Sequence, residues 1–184
     1  MTDKAAGKTP VSRHADAPDS IDELMAIAFA MENEAAERYD EFAEVMQAHN
    51  NAEVAQLFSK MARIETLHAG QIRQKMGWTG EPPVAPGGYR WQGMEAPETG
   101  DHGDLHYLMT PFHALRIARL NEERAQRFYE KLARDAPTAE LRAAAAEMRE
   151  EEAEHVRLMD EWLARTPAPQ ENWSEDQDPP NHHD

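Results

Sequence analysis

The sequence predicts an all-α fold, a four-helix bundle made of two antiparallel hairpins with a long connection between them. Four segments repeat their apolar residues at helical spacings of three and four, and short links join the first to the second and the third to the fourth. A long turn-rich stretch, residues 77–109, separates the two pairs. Little of the chain has the alternating pattern of strands. We therefore expect the bundle over residues 21–165, a flexible segment at 1–20 and an acidic flexible tail at 166–184.

Capping residues mark the ends of the first two helices. Ser20 with Glu23 forms the sequence pattern of a capping box and predicts the start of the first helix. Asn50 with Glu53 repeats this pattern before the second helix. Gly77 predicts where the second helix ends, because glycine readily adopts the left-handed conformation that terminates a helix.

Proline and threonine mark the second pair in the same way. Thr110 followed by Pro111 predicts the start of the third helix, since proline is well tolerated in a first helical turn. Pro137 lies just beyond its predicted end, Thr138 precedes the fourth helix, and that helix is expected to stop before Pro167.

The lengths of the connections predict the topology. Helices joined by only a few residues pack as antiparallel hairpins. Residues 77–109 form a much longer link than usual, enough to cross the bundle and start the third helix at the same end as the second. The segment DLHYLM could add a short helix there. Two hairpins with one long crossover is the connectivity of ferritin-like bundles.

Each predicted helix places one glutamate in its apolar stripe. Two of these glutamates are followed three residues later by a histidine. The residues are Glu32, Glu65 with His68, Glu122, and Glu152 with His155. Burying an ionised carboxylate without a partner is costly, so these positions require compensation. Other glutamates on the same helices are expected to face solvent, including Glu34, Glu123, Glu151 and Glu154, with the alternative that one of them serves as a metal ligand.

The same pattern appears in both halves of the chain. ENEAAERY, which begins at Glu32, shares its Glu, Ala and Tyr with EERAQRFY, which begins at Glu122. ETLH and EAEH match in the same way, again about ninety residues apart. This repeat suggests a duplicated hairpin, and two facing halves would form a pseudo-symmetric site.

Four carboxylates and two imidazoles can hold two divalent cations, whose four positive charges balance the four glutamates. Oxygen and nitrogen ligands favour iron or manganese, with zinc as an unreactive occupant. Tyr39 and Tyr129 lie two turns beyond the two lone glutamates and could hydrogen-bond to carboxylates, although a packed core role is more common at such positions. A metal-free core of salt-bridged polar residues is the alternative, but no lysine or arginine shares these stripes.

Composition sets further limits. The 184 residues are enough for one domain, and 35 acidic against 19 basic side chains leave a formal charge of −16. That charge argues against nucleic acid or an anionic membrane as a partner and favours cations. The absence of cysteine excludes disulfides and thiolate ligands from the chain. No apolar leader or membrane-length run occurs, so we expect a cytoplasmic protein.

Taken together, ENEAAERY, ETLH, EERAQRFY and EAEH resemble the four ligand segments of the rubrerythrin branch of ferritin-like di-iron proteins, in the same order and over residues 21–165. The resemblance implies two iron ions that cycle between Fe2+ and Fe3+. It assigns the ligands as follows: Glu65 and Glu152 bridge both irons, Glu32 and Glu122 are terminal ligands, and His68 and His155 bind one iron each.

Two features depart from that family. Rubrerythrins proper carry a rubredoxin domain with a four-cysteine iron site, and this chain has no cysteine. Electrons would then come from an external donor, either rubredoxin-like or a flavin reductase. Arg119 also stands where the family has an additional glutamate that changes its iron ligation with redox state.

The resemblance implies an oxidoreductase that reduces hydrogen peroxide or dioxygen, with the four glutamates and the two tyrosines as its catalytic residues. A ferroxidase that handles iron as its substrate, alone or within a larger shell, is the alternative, and a non-catalytic metal-binding bundle is a third. Relatives imply a homodimer or higher homo-oligomer. The sequence leaves the native metal, the electron donor and the choice between peroxidase and ferroxidase open.

Overall fold

The computed structural model describes residues 13–14, 18–80, 82, 89–91 and 95–176. Its four helices are α1 (Ile21–Ala48), α2 (Ala52–Lys75), α3 (Pro111–Asp135) and α4 (Ala139–Arg165). Two strands of two residues each, β1 (Arg13–His14) and β2 (Tyr89–Arg90), pair in parallel. The helical bundle confirms the predicted all-α class. Most of the predicted N-terminal segment, and the last eight residues with His182 and His183, lie outside the described residues.

The first hairpin begins as predicted but turns one residue later than expected. The hydroxyl of Ser20 accepts a hydrogen bond from the Glu23 backbone N–H at 3.2 Å. The N-cap of α2 is Asn51, not Asn50, and its side chain accepts from the Val54 N–H at 3.4 Å. Asn50 instead adopts a left-handed conformation with φ 57°, which asparagine tolerates and which closes the turn after α1.

The other boundaries agree with the capping pattern. Gly77 has φ 65° and follows the end of α2, and Thr110 with Pro111 begins α3. The side chain of His113 closes the capping box, because its Nδ1 accepts from the Thr110 N–H at 3.1 Å. The short helix suggested for DLHYLM, residues 104–109, is not present; only its first residue, Asp104, is helical, as the end of a 3-10 helix at His102–Asp104.

The helices pair as two hairpins, α1 with α2 and α3 with α4, and contacts of α2 with α3 and of α1 with α4 complete the bundle. The side-chain amide of Asn51 donates to the carbonyl of Met109 at 2.7 Å. Since Asn51 caps the start of α2 and Met109 immediately precedes α3, these two helices start at the same end. The crossover therefore runs the length of the bundle, as predicted for the ferritin-like connectivity.

The crossover is attached to α1 by polar contacts. Arg38 donates to the carbonyl of Gly100 at 2.6 Å and pairs with Glu95 at 2.6 Å. The indole N–H of Trp91 donates to Glu34 at 3.0 Å. Glu34 is thus partly buried beneath the crossover and does not face solvent as the sequence pattern suggested.

A polar layer lies between the two larger clusters of the apolar core. One cluster contains Leu24, Met31 and Leu132 with their neighbours, and the other contains Phe42 and Phe58. On every helix the inward glutamate lies between the residues of one cluster and those of the other. The four carboxylates consequently meet near the middle of the bundle, with apolar side chains on both sides.

Part of the predicted flexible tail contacts the bundle. The ring of Trp173 lies 3.8 Å from that of His113 and 5.1 Å from that of His106, measured between centroids. The hydroxyl of Tyr107 donates to the carboxylate of Asp176 at 2.9 Å. Residues 166–176 therefore cover the start of α3. Among the described residues, no helix has the length and apolar character needed to cross a membrane.

Candidate metal centre

The four inward glutamates are buried at a common level, one on each helix. The exposed fraction of each is at most 4%. Helical spacing explains this placement, because each glutamate is three or four residues from apolar neighbours that face the core. The structure brings together all six residues that the sequence selected as metal ligands: Glu32, Glu65, His68, Glu122, Glu152 and His155.

The six residues form two matching groups of two carboxylates and one imidazole. In the first group, Nδ1 of His68 lies 3.1 Å from Oε2 of Glu65 and 3.5 Å from Oε2 of Glu32. In the second, Nδ1 of His155 lies 3.1 Å from Oε2 of Glu152 and 3.3 Å from Oε2 of Glu122. In each group the possible ligand atoms lie within 4.8 Å of one another, a separation that one cation can span.

The two glutamates without a histidine partner on their own helix have pKa values close to neutral. Burial raises the pKa of Glu32 to about 8; the nearby His68 opposes this shift, and the charges of Glu152 and Glu65 add to it. Burial likewise raises the pKa of Glu122 to about 7. Both carboxyls can thus gain or lose a proton near physiological pH.

In the two histidines, neighbouring charges together affect the pKa more than burial does. Burial alone would lower the pKa of each imidazole, but the adjacent carboxylates outweigh it. Glu32 and Glu65 raise the pKa of His68 to about 10, and the equivalent pair raises that of His155 to about 11. In the metal-free protein at neutral pH, each histidine therefore carries a positive charge and lies between two carboxyl groups.

These donors fit a pair of divalent metal ions. Within the described residues, Oε2 of Glu32 and Oε2 of Glu122 are buried and lack a well-formed hydrogen bond, with Nδ1 of His68 and of His155 at 3.5 and 3.3 Å, respectively. Carboxylate oxygen and imidazole nitrogen are ligands that iron, manganese and zinc accept. The helices can thus supply two equivalent ligand groups in one buried layer.

Two small cavities reach this layer, and both are lined by His68 and His155. One has a volume of about 210 Å³ and also touches Glu32 and Glu152. The other has about 130 Å³ and touches the remaining two glutamates. Both are smaller than the roughly 300 Å³ at which pockets for organic ligands begin. A larger groove of about 1070 Å³ lies on α1 and α2 but is lined by none of the six residues.

The two tyrosines lie within the core. The hydroxyl of Tyr39 accepts from the side-chain amide of Asn121 at 3.1 Å. Burial raises the pKa of both Tyr39 and Tyr129 well above the usual value, and the nearby carboxylates add to this effect. Within the described residues neither hydroxyl bonds to a carboxylate of the centre, so a role for them in the chemistry stays a hypothesis. Asn121, which the sequence did not single out, connects α3 to Tyr39.

A fifth carboxylate, that of Glu98, also reaches the centre. It comes from the crossover, is 1% exposed, and places an oxygen within 4.8 Å of oxygens of Glu65 and Glu122. Burial, followed by the charges of the other carboxylates, raises its pKa well above the usual value. The helical-period test could not find it because it lies in a turn, between Pro97 and Gly100.

Two residues flagged by the sequence lie at the edge of the centre. Arg119 contacts Asp160 at 2.5 Å and Glu123 at 3.2 Å, so its charge is engaged on the outside of the bundle. Glu151 is exposed, as expected, but it lines the larger of the two cavities together with Lys75.

Comparison with known proteins agrees with this architecture. The family model for rubrerythrin matches residues 23–85, which span α1 and α2 and extend into the crossover. A solved structure of an uncharacterized conserved protein from Magnetospirillum magnetotacticum MS-1 is 43% identical in sequence, with a TM-score of 0.57. The match covers 82% of this chain and 98% of that one. No curated protein matches the sequence.

Proposed function

Because the chain belongs to the rubrerythrin-like branch of the ferritin-like superfamily, we propose that it holds two iron ions and reduces hydrogen peroxide or dioxygen with electrons from an external donor. The observation that carries this proposal is the pair of matched carboxylate–histidine groups, with His68 and His155 lining two cavities too small for organic ligands. Water, dioxygen and hydrogen peroxide are small enough to enter.

Each metal ion would be bound by its own subset of the six residues. Glu32 with His68 would bind one ion and Glu122 with His155 the other, while Glu65 and Glu152 would lie between them. When bound, two ferrous ions supply Lewis acidity and the two electrons needed to convert one hydrogen peroxide and two protons into two waters. The carboxylates of all four helices lie in one layer, with an apolar cluster on either side.

Carboxyl groups of the centre would also take up and release the protons that the reaction consumes. Carboxyls with pKa values near neutral, such as those of Glu32 and Glu122, can hold a proton and release it with little cost. The apolar clusters above and below the layer exclude bulk water, so protons would enter through the two cavities beside the histidines.

A ferroxidase that takes iron as its substrate is the second candidate. The formal charge of −16 supports it, because an acidic surface raises the local concentration of cations. The exposed carboxylate of Glu151 lines the larger cavity, where it could receive an incoming ion. In either case we propose a homo-oligomer that works with a cytoplasmic rubredoxin-like or flavin reductant, and manganese or zinc could occupy the same ligands.

The test is anaerobic loading with ferrous iron, followed by metal counting and stopped-flow absorbance in the near ultraviolet. About two irons per chain, oxidised faster by hydrogen peroxide than by dioxygen and restored by a reductant, would support peroxide reduction. Faster oxidation by dioxygen with subsequent iron release would favour the ferroxidase. Failure to bind stoichiometric iron would overturn both.

A further inference from the structure

The carboxylate of Glu98 has no counterpart among the residues of the four helices. Within the described part of the chain, neither of its oxygens has a hydrogen-bond partner, although the side chain is fully buried. One oxygen lies within 4.8 Å of oxygens of Glu65 and Glu122. An ionised carboxylate in that position faces other carboxylates, which is unfavourable unless it takes up a proton or a cation lies between them.

Hydrogen bonds of the crossover backbone orient the side chain of Glu98 towards the centre. The backbone N–H of Thr99 donates to the carbonyl of Ala96 at 3.0 Å and closes a turn around Glu98. Arg38 holds the next carbonyl, that of Gly100, at 2.6 Å. These contacts fix the backbone on both sides of Glu98, so its inward direction is set by the fold of the crossover.

Close packing reinforces the same placement. A Cβ at Gly100 would lie 2.9 Å from Cε2 of Phe42 and 3.2 Å from Nδ2 of Asn121. Only glycine allows the crossover to approach α1 and α3 this closely without displacement. The side chain of Glu98 can thus reach the layer of the helical glutamates.

No basic side chain among the described residues pairs with the buried carboxyl of Glu98. His68 and His155 are each paired with two helical glutamates, and Arg38 is engaged by Glu95 and Gly100. Among the described residues, no ion pair joins Glu98 to a basic side chain. When ionised, Glu98 therefore needs a cation that the side chains of the described residues do not supply.

We propose that Glu98 is a seventh protein ligand of the two-metal centre, on the side of Glu65 and Glu122, and that bound metal fastens the crossover to the bundle. This inference rests on the proposed function, since it requires metal between the helices. A fifth carboxylate also supplies negative charge beyond the four that balance two divalent ions. It thereby favours the oxidised, more highly charged irons over the reduced ones.

The direct test compares Glu98→Gln with Glu147→Gln, the same change on an exposed carboxylate of α4. Wild-type protein, both variants and Glu65→Gln are titrated with manganese as a redox-stable probe, and retention is measured against a chelator. Glu98→Gln should weaken binding of one ion by about tenfold or more, while Glu147→Gln should match the wild type.

Stability of the metal-free protein separates ligation from a structural role. Glu98→Gln removes an unpaired buried carboxyl, so its thermal midpoint without metal should be equal to or above that of the wild type, while its gain on adding metal should be smaller. A residue that is only structural would lower the midpoint with and without metal.

Hydrogen exchange of the unmodified protein gives a second test that needs no variant. Adding manganese should slow amide exchange in residues 95–104 as well as in the four helices. Unchanged exchange there, together with wild-type metal affinity in Glu98→Gln, would overturn the inference while metal loss in Glu65→Gln left the proposed function standing. Absence of stoichiometric metal in the wild type would overturn both.

Discussion

The imidazole rings of His68 and His155 stack face to face, with centroids 4.5 Å apart and planes 6° from parallel. Each ring also points Nδ1 towards two carboxylates of its own group. In the metal-free protein both rings are protonated and positive, so the stack brings two like charges together. A cation can bind at Nδ1 only when the ring is neutral, so metal binding requires both rings to lose the protons that cause this repulsion.

Removing one carboxylate of the centre should reduce its metal content. We expect Glu65→Ala or Glu152→Ala to lower the metal bound from about two ions per chain to one or none, because the lost ligand also leaves the other buried charges unbalanced. Metal analysis after gel filtration measures this. Glu147→Ala is the control, because Glu147 is an exposed glutamate on α4. Glu151, which is also exposed, is less suitable because it lines a cavity beside the centre. Equal metal content in all these proteins would contradict the assignment of ligands.

Metal binding should release protons. At pH 7 the imidazoles of His68 and His155, with pKa values of about 10 and 11, each carry a proton that metal ligation must displace. Glu32, with a pKa of about 8, is also largely protonated and adds to the release. Calorimetry in two buffers of different ionisation enthalpy counts these protons. We expect roughly two or more per chain and an affinity that falls steeply as the pH is lowered. Binding without proton release would show that the rings are already neutral.

The metal-free protein should become less stable as the pH rises. The pKa values of Glu32 and Glu122 increase on folding from 4.5 to about 8 and about 7, and those of His68 and His155 from 6.5 to about 10 and about 11. The folded state thus binds more protons than the unfolded state between these limits. Its free energy of unfolding is therefore highest below pH 4.5 as far as these groups are concerned, and it falls up to about pH 11.

Urea unfolding of the metal-free protein at pH 6 and pH 9 measures this dependence. Glu32→Gln should show a shallower decline, because glutamine does not titrate. Metal-loaded protein should not show the decline, since its ligands are already deprotonated. Equal stability of the metal-free protein at both pH values would contradict the assigned protonation states.

A methyl group at Gly100 should disturb the crossover. Gly100→Ala places a Cβ 2.9 Å from Cε2 of Phe42, a fully buried side chain that cannot easily yield. We expect a loss of about 1–3 kcal/mol in the free energy of unfolding, measured with urea. Gly80→Ala is the matched control, because a Cβ there meets no atom within 4 Å. Equal effects of the two changes would mean that the crossover does not pack closely on Phe42.

Local sequence rules account for most of the architecture and for the helical part of the centre. The start of α1 at Ser20, the end of α2 before Gly77 and the start of α3 at Thr110 each depend on hydrogen bonds within a few residues. The one shifted boundary, at Asn50, arose because that residue and Asn51 are equally good caps in the sequence. The choice between them depends on how the turn closes in space.

The sequence by itself determined which glutamates face inward, because a helix turns through a constant angle and Glu32 or Glu65 must share a face with its apolar neighbours. Only the tertiary structure decided that His68 stacks on His155, that Asn121 meets Tyr39, and that Glu98 enters the same layer. The direction of a side chain in a crossover has no period. It depends on contacts with residues far away in the chain, which exist only once the four helices have packed.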